Sequence, residues 1–145
     1  MVAFASRPRP EAALTDSAEQ PAAAKPCAKC PSTPLENIPG HDFSVDRCPE
    51  CGGTWFEGTT LDKALRSTPD ALFQPPPRPP DPGANARKGL CPACKTPMSK
   101  VNSLTSPRII MDVCKVCGGK WLDGGEFMKI RGRGLFAKLK RLLGY

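Results

Sequence analysis

Histidine, tyrosine and long apolar runs are what this chain lacks. Its 145 residues include one histidine, His41, and one tyrosine, the last residue, and aromatics make up only 6%. General acid–base chemistry centred on imidazole has almost no material to work with. No run of about 18 apolar residues occurs anywhere, so no segment is expected to span a bilayer as a helix. The opening MVAFASRPRP holds no apolar stretch of the kind a secretory signal needs. The expectation is a cytoplasmic protein, whose cysteines in a reducing compartment are metal ligands or redox centres rather than structural disulfides. A glycine-rich phosphate loop, a nucleophile elbow and a pair of catalytic carboxylates are also missing. The chain reads as a non-enzyme with no small-molecule substrate.

Apolar volume is scarce too. Hydrophobic residues are 39% of the chain, while 18 prolines and 13 glycines work against a single large core. What stands in its place is cysteine, eight in all. Modules of about 40 residues or fewer usually depend on metal or disulfides for stability.

Composition divides the chain. Residues 1–26 are rich in alanine and proline, with Arg7, Arg9 and Lys25 balanced by Glu11, Asp16 and Glu19, and read as a disordered tail. Residues 66–90 carry Pro69, Pro75, Pro76, Pro77, Pro79, Pro80 and Pro82, the composition of an extended linker. Around that linker lies an internal repeat. Cys27, Cys30, Cys48 and Cys51 align with Cys91, Cys94, Cys114 and Cys117, offset by 64 residues at the first pair and 66 at the second. After the second pair the match runs residue by residue, CGGTWFEG at 51–58 against CGGKWLDG at 117–124. The copies span 27–65 and 91–130, and residues 131–145 remain as a C-terminal segment.

In each copy two Cys-x-x-Cys pairs are separated by 17 or 19 residues. Each pair lets the sulfurs of one tight turn converge, and a hairpin brings the second turn alongside, completing a four-thiolate tetrahedron suited to zinc. The expected cofactors are therefore two Zn²⁺ ions. Four cysteines leave no open position for a catalytic water. Tetrahedral iron and dithiol redox chemistry are the competing readings of the same sulfurs. Gly52 and Gly118, directly after the last ligand, can take positive φ and let amides approach the thiolates. Phe43 to Val45 and Ile109 to Met111 read as short strands, and Trp55 and Trp121 as the largest pieces of small cores. Asp123 and Glu126, ahead of Phe127, Met128 and Ile130, form a capping-box pattern at a helix start. The first copy has Glu57 and Thr60 at those places, so its cap would fall to Thr59 or Thr60. His41, aligned with Pro107, reads as an exposed turn residue.

The run Cys-Pro-x-Cys at 91–94, Asp112, and Cys-x-x-Cys-Gly-Gly-x-Trp-Leu-Asp-Gly-x-Glu-Phe at 114–127 resemble the transcription factor IIB-type zinc-ribbon family of short, mostly bacterial proteins. The first copy opens with Cys-Ala-Lys-Cys and lacks the final glutamate, and so resembles a diverged member. The resemblance implies a small metal-stabilised α+β fold: two tandem zinc ribbons, each a short β-hairpin followed by a short helix, with disordered flanks and linker. It places Cys27, Cys30, Cys48 and Cys51 on one metal and Cys91, Cys94, Cys114 and Cys117 on the other.

The net charge of +7 is unevenly spread. Residues 27–65 hold three basic and six acidic side chains, residues 91–125 five basic and two acidic, and residues 126–145 six basic and one acidic. Four thiolates around one divalent zinc add about −2 per site, so the ribbons are less basic than the sequence suggests. Leu135, Phe136, Leu139, Leu142 and Leu143 share one helical face in the tail, with Lys138, Lys140 and Arg141 off it. Together with Arg131 and Arg133 this segment is a candidate contact for nucleic acid, for an anionic membrane surface or for a protein groove. The functional expectation is a non-catalytic adaptor contacting nucleic acid or the transcription apparatus. A peripheral membrane or protein–protein adaptor is the alternative, and a thiol-redox or zinc-responsive switch the third reading.

Overall fold

The computed structural model describes residues 23–67, 70–73, 78–79, 81–104 and 106–132. Each copy builds the same unit. In the first, β1 (Glu36–Pro39), β2 (Ser44–Arg47) and β3 (Thr54–Phe56) are followed by helix α1 (Thr60–Arg66). In the second, β4 (Ser99–Asn102), β5 (Ile110–Val113) and β6 (Lys120–Leu122) are followed by α2, residues 126–132. The pleat decides which side chains go where, because neighbouring residues of a strand face opposite sides.

All six strands join one antiparallel sheet, in the order β1-β2-β3-β6-β5-β4. The two halves meet at β3 and β6, where Thr54 pairs with Leu122, Trp55 with Trp121 and Phe56 with Lys120. The equivalent tryptophans thus face each other, and the flanking pairs exchange places about a local two-fold axis between them. One face of the sheet carries Trp55 and Trp121 among the cysteines, with Ala28, Leu35 and Met98. The other carries Val45, Phe56, Ile109 and Leu122 under the helices, which contribute Leu61, Ala64, Phe127 and Ile130. The ring of Phe56 in the first copy stacks on that of Phe127 in the second, centroids 5.5 Å apart. With both faces covered, the central strands are fully buried: Trp55, Phe56, Trp121 and Leu122 are all 0% exposed.

This arrangement corrects the expectation of two modules held apart by a spacer. Pairing through β3 and β6 satisfies strand edges that would otherwise be exposed and buries both indoles. The described parts of the proline-rich span are also anchored at particular residues. Leu72, in a short 3₁₀ turn (Asp70–Phe73), is buried in the helical core, and Ala71 accepts a hydrogen bond from Arg47 Nη1 at 3.0 Å. Ala84, in a second 3₁₀ turn (Ala84–Ala86), is buried as well. Among the described residues no helix is long and apolar enough to cross a membrane.

Candidate metal centres

Each tetrad is assembled from two tight turns at one end of a hairpin. In the first copy the Cys27 amide donates to Thr33 O and the Thr33 amide to Cys30 O, both at 2.9 Å. The second pair is closed by Gly52, at φ 71, whose amide donates to Cys48 O at 3.0 Å. Gly118 does the same in the second copy, at φ 72, donating to Cys114 O at 2.9 Å. Both glycines thus take the left-handed conformation expected of them, which costs a residue with a Cβ about 1–2 kcal/mol. At the other turn of the second copy Lys95 accepts that conformation, at φ 61, where a glycine would be at ease.

Backbone amides point at the sulfurs. Lys29 N and Cys30 N lie 3.4 and 3.2 Å from Cys27 Sγ, Gly53 N lies 3.4 Å from Cys51 Sγ, and Cys94 N lies 3.2 Å from Cys91 Sγ. Such bonds hold the ligands and offset thiolate charge.

The sulfurs of Cys27, Cys30, Cys48 and Cys51 lie within 4.8 Å of one another, and so do those of Cys91, Cys94, Cys114 and Cys117. A tetrahedron with metal–sulfur bonds of about 2.3 Å has edges of about 3.8 Å. The Cys27–Cys51 and Cys91–Cys117 separations are 3.7 and 3.8 Å. Without a cation the thiols of one tetrad are driven in opposite directions. The hydrogen bond from Cys27 draws Cys51 down to about 6. That same bond, followed by burial, pushes Cys27 well above the thiol range, and burial pushes Cys30 up to about 11. In the second tetrad burial works to raise Cys114, but amides of Cys117 and Val116 and the Thr96 hydroxyl outweigh it and bring the thiol down to about 6. Four sulfurs this close cannot all be thiolates without a positive charge among them; two Zn²⁺ ions, one per tetrad, supply it.

Around the tetrads the copies differ. Trp121 Nε1 donates to Asp123 Oδ1 at 2.9 Å. Glu126 Oε2 accepts from the Asp123 amide at 3.1 Å, so the glutamate half of the capping box is formed while the aspartate side chain is turned to the indole. Burial, then the Asp123 charge, raises the Glu126 carboxyl above its ordinary range. In the first copy Glu57 is exposed and pairs with Lys25 at 2.6 Å, and buried Trp55 Nε1 has no partner among the described residues. Thr59 stands at the N-cap of α1 without a side-chain cap bond, so the cap expected there is missing and the helix rests on its buried Leu61 and Ala64. His41 is exposed in a bend. Arg131 lies in α2, and Arg133, Lys138, Lys140 and Arg141 lie outside the described residues.

Three features make contacts that sequence reasoning did not anticipate. The second glycine of each Cys-Gly-Gly is one. A Cβ at Gly53 would stand 2.2 Å from the Trp121 ring, and one at Gly119 2.2 Å from the Trp55 ring, so each indole lies on the other copy's backbone. The aspartates two residues before Cys48 and Cys114 are the next. Asp46 accepts from Lys25 and Asn37, both at 2.9 Å, and Asp112 from Lys100 at 2.9 Å. The last is Lys29, whose Nζ lies 2.7 Å from Asp112 Oδ2. Their signals were present in the sequence: Gly-Gly and the aspartate recur in both copies, and Lys29 is a charged residue at the variable position of the ligand turn, where the second copy has Ala93.

The family model described as transcription factor zinc-finger matches this chain twice, at residues 26–67 and 90–131. No curated protein and no solved structure matches it.

Proposed function

The chain belongs to the transcription factor zinc-finger family, and on that premise we propose that it is a structural zinc-binding adaptor that presents both ribbons, as one plate, to nucleic acid or to the transcription apparatus. The pairing of β3 with β6 carries this reading, because it sets two charge-bearing halves in a fixed relation. Counting zinc and its thiolates, the first ribbon comes to about −5 and the second to about +1, with the six basic residues of 126–145 beyond it. A bound zinc supplies a four-way cross-link and no reaction. The residues around it hold sulfurs, indoles and strands in place, and four cysteines fill the tetrahedron. A polar plate with a basic extension suits phosphate contacts that position rather than specify.

The test compares zinc-loaded full-length protein with a variant carrying Lys138→Gln, Lys140→Gln and Arg141→Gln, against labelled duplex DNA and single-stranded RNA over a salt series. The expected result is tail-dependent binding that weakens with salt, with a log–log slope of up to about −5 if all six C-terminal cations meet duplex phosphates. Absence of binding at low salt removes the nucleic-acid version and directs the search to protein partners and anionic vesicles.

A further inference from the structure

Lys29 sits inside the first ligand turn, between Cys27 and Cys30, at the place Ala93 holds in the second copy. A lysine there would ordinarily point into water. Its side chain is instead 1% exposed, and its three donors are all used: Asp112 Oδ2 at 2.7 Å, Arg87 O at 2.8 Å and Ala84 O at 3.2 Å. Asp112 is equally buried, also at 1%, and its other oxygen accepts from Lys100 of the neighbouring strand β4. One ammonium thus ties a ligand turn of the first site to the connecting segment and to β5, two residues before Cys114 of the second site. The matching aspartate of the first copy, Asp46, makes no such link; Lys25, of its own copy, neutralises it.

Burying a charge is tolerable only when its partner is in place. With the Cys27–Cys30 turn unformed, Asp112 loses one of its two cations. With β5 unformed, Lys29 loses the carboxylate that justifies its burial. The central tryptophan–glycine contacts act in the same sense, since each ribbon completes the other's indole site. From these contacts we infer that the two metal sites load cooperatively, with the buried Lys29–Asp112 pair as the specific coupling between them. Linkage makes the effect reciprocal: zinc at either site raises affinity at the other, by about tenfold, within the common range for coupled sites.

The test is native mass spectrometry of the reduced, full-length chain given one equivalent of zinc. Independent identical sites would leave about half of the molecules with a single zinc, and unequal independent sites would leave more. A one-zinc population well below that half is expected, with metal-free and two-zinc chains in excess. The Lys29→Met variant keeps all eight ligands and leaves Asp112 paired with Lys100, and its one-zinc population should rise toward half. Should Lys29→Met fail to hold metal at all, Asp112→Asn, which leaves Lys29 its two carbonyl partners, is read in the same way. A wild-type one-zinc population at or above half overturns cooperativity. A shortfall that persists unchanged in the substituted chain overturns the assignment to this pair.

Discussion

Trp121 has its indole N–H satisfied by Asp123, whereas Trp55, at the same place in the first ribbon, has its indole nitrogen buried with no acceptor among the described residues. One methylene underlies the contrast. Asp123 is short enough to turn back onto the ring two residues before it, while the longer Glu57 leaves the surface and meets Lys25. The second ribbon spends its acidic residues internally, on the indole and on the start of α2. The first sends its own outward, and instead commits a lysine from its ligand turn to the other ribbon. Similar central strands thus support one half whose indole N–H is satisfied internally and one whose ligand-turn lysine reaches across. The lesson is that a repeat can keep its metal geometry intact while its remaining side chains diverge toward holding the two copies together.

The sharpest way to break this comparison is to remove one metal ligand. Cys114→Ser in two independent modules would cost one zinc and leave the first ribbon folded. Because Trp55 rests on Gly119 and β3 pairs with β6, this substitution should empty the second site and weaken zinc at the first by about the tenfold coupling, and competition with a chelator read by metal analysis and tryptophan emission is the check. A first site that holds zinc as tightly as in the unsubstituted chain would restore the independent picture. A smaller effect is expected at the glycines beneath the indoles. Gly53→Ala and Gly119→Ala both drive a methyl group into a tryptophan ring against central backbone, and each should cost about 3 kcal/mol in denaturant unfolding of the zinc-loaded protein. Similar losses at both places would show that the two-fold contact is shared equally; a loss at only one would show where the sheet can yield. The least disruptive pair compares the acidic residues. Asp123→Ala strands the buried Trp121 N–H and should cost about 1–3 kcal/mol. Glu57→Ala removes a largely exposed ion pair and should change stability by less than about 1 kcal/mol, measured by the same unfolding titration.

Much of each ribbon could be read in advance, because the determinants are close in sequence. The Cys-x-x-Cys spacing sets which sulfurs share a turn, and Gly52 and Gly118 mark where the chain must take positive φ. Strands were expected at Phe43 to Val45 and at Ile109 to Met111, and β2 and β5 lie one or two residues further on, at Ser44–Arg47 and Ile110–Val113. The capping pattern at Asp123 and Glu126 placed the start of α2, although the side chain of Asp123 found a better use. Less legible were residues whose partners are distant. Lys29 fills the variable position of its motif, and its partner is 83 residues away at Asp112. The proline-rich span looked like a spacer, since nothing local to it tells that Ala84 and Arg87 will lend their carbonyls to a buried lysine.

The sequence by itself determined the two four-cysteine sites, their metal and the hairpin-and-helix unit around each, because ligand spacing, turn glycines and strand alternation act over a few residues or within one repeat. Only the tertiary structure decided that the two units become a single sheet. That outcome depends on what each ribbon leaves unfinished at its inner edge. Unpaired strand groups on β3 and β6, an indole needing a flat backbone to rest on, and a lysine and an aspartate each too costly to bury alone find their complements in the other copy, and no local pattern records such a match.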